Sequence, residues 1–228
     1  MTMQRMGGLA ALVCAATYIF GFVLIMTLLA DSGFGATAAD SADKVRFIAD
    51  NQALMITFNT VIYIVNALAL GLLVVALTSR VRALSTDWGA ATLAFGLVWT
   101  TLVLGAGMIG NVTTERVALL APADFDAAVQ TFEVLQAVEL GLGGGNEIAG
   151  GVWILCVSFA GLLFRAFGKI VIGLGLLTGV GGLLTIIPPL GDVAGAVFGL
   201  GAIAWFIAVG LALVFTRDAV APQAPAPA

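Results

Sequence analysis

The sequence predicts an all-α fold, a polytopic bundle of about six membrane-spanning helices, and three observations carry that prediction. Of the 228 residues 61% are hydrophobic and 10% are charged, against about 45–50% and about 25% in ordinary soluble domains. The charges cluster, fencing off six long apolar runs. Those runs are apolar all round, whereas barrel strands alternate apolar and polar residues over about ten positions. A soluble globule of this size has too little interior for so much apolar surface. In lipid every backbone donor and acceptor is satisfied within the protein, so uniformly apolar runs are read as helices.

The runs are Met6–Ala30, Asn51–Ser79, Trp88–Thr114, Ile148–Phe164, Ile170–Gly191 and Val193–Thr216. Each meets the roughly 17–25 residues that crossing a hydrocarbon core takes. The fourth is the shortest and is expected to extend upstream through GLGGGNE. The first follows Arg5 but outruns the roughly 7–15 apolar residues of a secretory signal, so it is read as a retained helix. Ser79–Asp87 and Arg165–Lys169 are short turns on one face, and Pro188-Pro189 marks a tight hairpin on the other. Asp31–Asp50 ends in KVRFIAD, a candidate short interfacial helix. In Asn111–Glu147, Pro122 opens an amphipathic helix with Asp124 and Asp126 in its first turn. Phe125, Val129 and Phe132 share one of its faces, set to lie on the bilayer surface or to cap the bundle. Residues 1–217 form one transmembrane domain, and 218–228, ending APQAPAPA, reads as a disordered Pro/Ala-rich tail.

With six crossings, Arg5, Arg80, Arg82, Arg165, Lys169 and Arg217 share one face and Lys44, Arg46 and Arg116 the other. The basic excess puts the first face, and with it both termini, in the cytoplasm. All but Asp87 and Asp218 of the 13 acidic residues fall on or near the opposite side. That anionic outer face disfavours nucleic acid as a partner.

Chemistry is sparse. There is no histidine, so the commonest metal ligand and the usual near-neutral general base are missing. Cys14 and Cys156 each lie deep in an apolar run and read as buried small hydrophobes. No catalytic, cofactor or metal motif is found, and neither a cofactor nor enzymatic activity is expected. The residues needing explanation are polar groups inside the runs, because burying one unpaired costs several kcal/mol. Gln52, Asn59, Tyr63 and Asn66 fall on one face of the second helix. Glu139, Gly143, Asn146 and Gly150 align on the fourth if it starts early, with Glu147 beside them. Two readings stand: interhelical hydrogen bonds that fix packing, or facing stripes around a wet cavity with Glu147 as its central group. The candidate cavity set is Asn59, Tyr63, Asn66, Glu139, Asn146 and Glu147.

Gly175–Gly179 and Gly195–Gly199 are GxxxG steps, expected to seat helices five and six against each other. Gly105, Gly107 and Gly110 spell G-x-G-x-x-G without a preceding strand, which argues against a dinucleotide site. Asn111-Val112-Thr113 matches the glycosylation triplet, too common a pattern to weigh.

The chain resembles a bacterial family of multi-pass membrane proteins of similar length and unknown function. The resemblance rests on GGLAALVCAATYIFG in the first helix, ATAADSADKVRFIADN before the second and ALALGLLVVALTSRV closing it. GGVWILCVSFAGLLFRAFGKIVIGLGLLTGVGGLL, across helices four and five, completes it. It implies a six-helix bundle in the inner (cytoplasmic) membrane and assigns no activity or site residue.

The leading expectation is a non-enzymatic protein whose helices pack together or against a partner. The partners expected are membrane lipids, with another membrane protein, a second copy of the chain and a small-molecule ligand left open. The alternative is a small-solute carrier or permease-like protein with its site between helices two and four. Two three-helix halves of inverted topology suit that. Each half opens with a Gly-Gly pair before a cysteine: Gly7-Gly8 with Cys14, and Gly150-Gly151 with Cys156. An intramembrane enzyme using Glu139 or Glu147 is the weakest third.

Overall fold

The computed structural model describes residues 2–30, 40–142 and 147–215. Among them the regular structure is helical throughout, in eight helices. They are α1 (Met3–Met26), α2 (Ser41–Asp50), α3 (Gln52–Arg82), α4 (Thr86–Leu120), α5 (Phe125–Gly141), α6 (Glu147–Phe164), α7 (Lys169–Leu184) and α8 (Gly191–Phe215). Short polar side chains fix several starts by accepting an otherwise orphaned amide. Thr2 caps α1, Asp40 caps α2, Ser85 caps α4 and Asp124 caps α5. The predicted tail at 218–228 lies outside the described residues.

Five helices, α1, α3, α4, α6 and the one ending at Phe215, are long and apolar enough to cross a membrane, and α7 is a shorter apolar helix. The fifth apolar run therefore yields less helix than expected, because Pro188 and Pro189 force a 3-10 turn at Pro188–Leu190. At about 1.5 Å per residue, the 16 residues of α7 rise roughly 24 Å. Even so, α7 returns along most of α6. Gly182 lies against the Glu147 carbonyl near one end, and Ile172 lies beside Gly161 near the other. The turn between them places Arg165 at φ 55°, and the Ala166 amide reaches back to the Gly161 carbonyl at 3.1 Å. Arg80 clamps that turn with two hydrogen bonds to the Ala166 carbonyl, at 3.1 and 2.9 Å.

Six helices close a ring in chain order: α1 against α3, α3 against α4, α4 against α6, α6 against α7, α7 against α8, and α8 back against α1. Gln4 at the start of α1 donates to the Leu213 carbonyl near the end of α8 at 3.4 Å. The start of α1 and the end of α8 thus share one face of the bundle, the terminal face; the opposite one is the far face. Three fully buried indoles fill the centre, Trp99, Trp153 and Trp205. Trp153 lies 5.5 Å from Trp99 and 5.6 Å from Trp205 between ring centroids. Each indole rests on a glycine of another helix. A methyl group on Gly96 would fall 2.6 Å from Trp153 Nε1, one on Gly150 2.7 Å from the Trp99 ring, and one on Gly175 2.7 Å from Trp205 Nε1. Trp153 also donates to the Thr92 carbonyl at 2.9 Å.

A second core stands at the far face. There Val45 and Ile48 of α2, Met55 and Phe58 of α3, Val117 of α4, and Ala128 and Phe132 of α5 are buried together with Leu29. The amphipathic helix therefore caps the bundle with the face its spacing defined. Arg46 of α2 sits 5.1 Å over the Phe125 ring of α5 and ties the two cap helices together. This core explains why α4 overruns its predicted end at Thr114. Its 35 residues rise about 52 Å, well beyond a hydrocarbon core of about 30 Å, and the excess carries the cap.

The GxxxG steps meet the expected neighbour only in part. Gly175 and Gly179 face α6, where Gly179 meets Leu155 and the Gly151 carbonyl, and Gly175 also receives Trp205. The α7–α8 contact joins Gly175 against Trp205 with Gly181 against Val197 and Gly201 against Thr178. Gly199 faces Phe22 of α1, and Gly195 faces open space. Spacing marks a flat strip on a helix but not which neighbour lies on it. Gly182→Ala is expected to cost about 2 kcal/mol, because its methyl would press on α6 backbone that has nowhere to go. Gly195→Ala is expected to be neutral or to gain up to about 1 kcal/mol from helix propensity. Unfolding of the two variants in detergent checks the contrast.

Candidate functional site

The polar residues of α3 sort into two kinds. Asn59 Nδ2 donates to Thr114 Oγ1 of α4 at 3.4 Å, beside Gly110, which leaves it room. Asn111 Nδ2 donates to Thr60 Oγ1 at 3.2 Å and ties the same helix pair. Asn66 Nδ2 donates to Thr17 Oγ1 of α1 at 2.6 Å and to the Cys14 carbonyl at 3.4 Å. These are interhelical ties. Tyr63 is different: its Cβ packs on Gly107 of α4, and its hydroxyl hydrogen-bonds the Glu139 carboxylate of α5.

A single α-helical stripe from Asn59 to Asn66 does not exist. Thr60–Val65 is π-helical, and each π turn takes one residue more than an α turn. The extra residue rotates the later side chains, so Asn59 faces α4 while Asn66 faces α1. The fourth-helix stripe is also divided. Glu139 belongs to α5, which ends at Gly141, and Glu147 opens α6. Asn146 and Gly143 lie outside the described residues.

Two cavities meet at Tyr63. The larger, about 330 Å³, is lined by Thr17, Tyr18 and Phe22 of α1, Tyr63 and Asn66 of α3, Glu147 of α6, and Gly195, Phe198 and Gly199 of α8, among others. The smaller, about 220 Å³, lies under the cap and holds Asn59, Gln136 and Glu139. Ile25, Ile62 and Tyr63 form the wall common to both. Phe198 closes the larger chamber toward the aromatic centre, 6.3 Å from Trp99. Ligand pockets typically measure about 300–1,000 Å³ and are mainly apolar with a few convergent polar groups. The larger chamber fits that description.

Tyr63, Asn66 and Glu147 are thus brought to one chamber, and Asn59 and Glu139 to its neighbour. Reasoning on spans two and four missed the contributions of α1 and α8. One signal was present: the chain has two tyrosines, and both line the larger chamber. Gly195 and Gly199, taken for packing residues, form part of its wall. Among the described residues no Lys or Arg lines either chamber, and no cluster of three His, Cys, Asp or Glu is placed to hold a metal ion.

Family models, curated proteins and solved structures give no match to the chain. The site's meaning rests on its own geometry.

Burial pushes the Glu139 carboxyl above its ordinary range, and the Tyr63 hydrogen bond, which favours the charged form, offsets part of the rise. A carboxyl whose folded-state pKa is raised binds its proton more tightly in the folded protein. Its contribution to stability is full below the unfolded value of about 4.3 and is lost as pH climbs through the folded value. Glu139→Gln is therefore expected to be more stable than the parent at about pH 8, with the difference vanishing at about pH 4. Denaturation of both proteins across that range tests the sign.

Proposed function

We propose that this chain is a non-enzymatic multi-pass membrane protein that binds a small amphipathic solute inside the far half of its bundle, in the manner of a carrier or permease. The chamber of about 330 Å³ carries the reading, because Tyr18, Tyr63, Asn66 and Glu147 reach it from three helices. Asn66 is held by α1, but no hydrogen bond from another described residue occupies the Glu147 carboxylate. A carboxylate without such a partner, facing a cavity at membrane depth, suits a ligand more than a packing contact. The ring of two three-helix halves agrees with carrier architecture, in which the site lies between halves. Residence in the bacterial inner membrane, with the terminal face cytoplasmic, belongs to the same reading. It draws on the basic bias of Arg5, Arg80, Arg82, Arg165 and Lys169 and on the family resemblance.

The second reading is an interaction protein that docks another membrane protein or a second copy of itself. The bonds of Asn59, Asn66 and Asn111 favour it, since they spend polar groups on internal packing. Native mass spectrometry of the chain released from mild detergent separates the two. A retained small molecule, reduced about tenfold in Glu147→Gln, is the expected result. A bare polypeptide, or a stoichiometric second protein with no effect of Glu147→Gln, overturns the carrier reading. Sidedness has its own test in intact cells with a membrane-impermeant thiol reagent. Ala123→Cys is expected to label and Ser85→Cys to stay protected, and the reverse overturns the orientation.

A further inference from the structure

Glu147 lines more than this chamber. It also borders a groove of about 620 Å³ between α4 and α6, walled by Phe95, Val98, Ile148 and Val152. Phe95, Val98 and Ile148 are exposed at the perimeter of the bundle, where a bilayer presents acyl chains. Among the described residues Glu147 alone lines both spaces. Glu147 is the residue that the two spaces share.

We infer that the chamber takes an amphipathic organic cation, an alkylated ammonium group on an apolar body, which enters sideways from the lipid past Glu147. The inference rests on the solute-binding reading above and adds the ligand's charge class and its route. The charge class follows from the lining. Glu147 supplies a carboxylate, no described Lys or Arg offsets it there, and Tyr18, Tyr63, Phe22 and Phe198 present aromatic rings. A carboxylate that shares a cavity with aromatic rings suits alkylated ammonium groups, through Coulomb attraction and cation–π contact together. An anion would meet repulsion from Glu147. A neutral apolar molecule would leave the carboxylate desolvated and unpaired. The route follows from the groove, which gives an amphiphile dissolved in the membrane an apolar approach ending at the charge it needs.

The full chain in nanodiscs of zwitterionic lipid, with empty nanodiscs as background, is titrated with benzyltrimethylammonium, its neutral isostere neopentylbenzene, and benzenesulfonate. Indole fluorescence gives the signal, because Phe198 lies between the chamber and Trp99. The expected result is saturable binding of the ammonium ion only, kept in Glu147→Asp and weakened about tenfold or more in Glu147→Gln. In stopped-flow mixing, Val98→Phe/Val152→Phe, which fills the groove, is expected to slow association about tenfold while affinity changes less than about twofold. Equal binding of ion and isostere, or indifference to Glu147→Gln, overturns the charge class. Unchanged association in the groove variant overturns the route. A chain that carries a neutral or anionic molecule in native mass spectrometry yet ignores the ammonium ion overturns this inference and leaves the solute-binding reading standing. A bare chain that ignores all three probes overturns both.

Discussion

The whole arrangement depends on seating three indoles against three glycines. Lipid removes most of the hydrophobic drive that gathers helices in water, so helices that cross a membrane stay together through close van der Waals contact and a few hydrogen bonds. Trp99 on Gly150, Trp153 on Gly96 and Trp205 on Gly175 supply that contact between α4 and α6 and between α8 and α7. Because the rings also touch one another, the pairs are not independent. A shift of α6 disturbs the partners of two indoles at once. Among the described residues the indole N–H groups of Trp99 and Trp205 find no acceptor, so packing there has been favoured over hydrogen bonding.

The same plug determines where the bundle is hollow. Toward the terminal face, α1 and α8 meet directly, with Gly8 against Val214 and Gly210 against Leu12. Beyond Phe198 lies the chamber, where small residues such as Gly21, Gly195 and Gly199 share the lining with Tyr18, Phe22 and Tyr63. Polar atoms concentrate around this chamber. Some are consumed in tying helices, as with Asn66 and Thr17, while the Glu147 carboxylate borders the space itself. Helix ties and cavity lining therefore draw on one polar layer.

Much of the fold was legible because composition and helical period report directly on solvent. The apolar runs marked the long helices, and Asp124 with the Phe125, Val129 and Phe132 stripe marked the cap helix and the face it buries. What escaped was relative rotation. Nothing in TVIYIV announces a π segment, since its residues suit an α turn equally well, and that segment moved Asn66 away from Asn59. GxxxG spacing located flat strips at Gly175 and Gly199 but could not name the helix laid on each. The far end of α4 was cut short on paper because Glu115 and Arg116 resemble a loop when lipid is the assumed surroundings. They belong to α4 itself, exposed beside the Val117 that the cap buries.

The length of α4 has a mechanical consequence. Ser85 and Leu120 are the two ends of one continuously hydrogen-bonded beam, and the cap is bolted to its overhang while the indole plug grips its middle. A tug on the overhang cannot be absorbed locally by a loop. It arrives at the plug as a tilt, as the free end of an oar passes its swing through the rowlock to the blade.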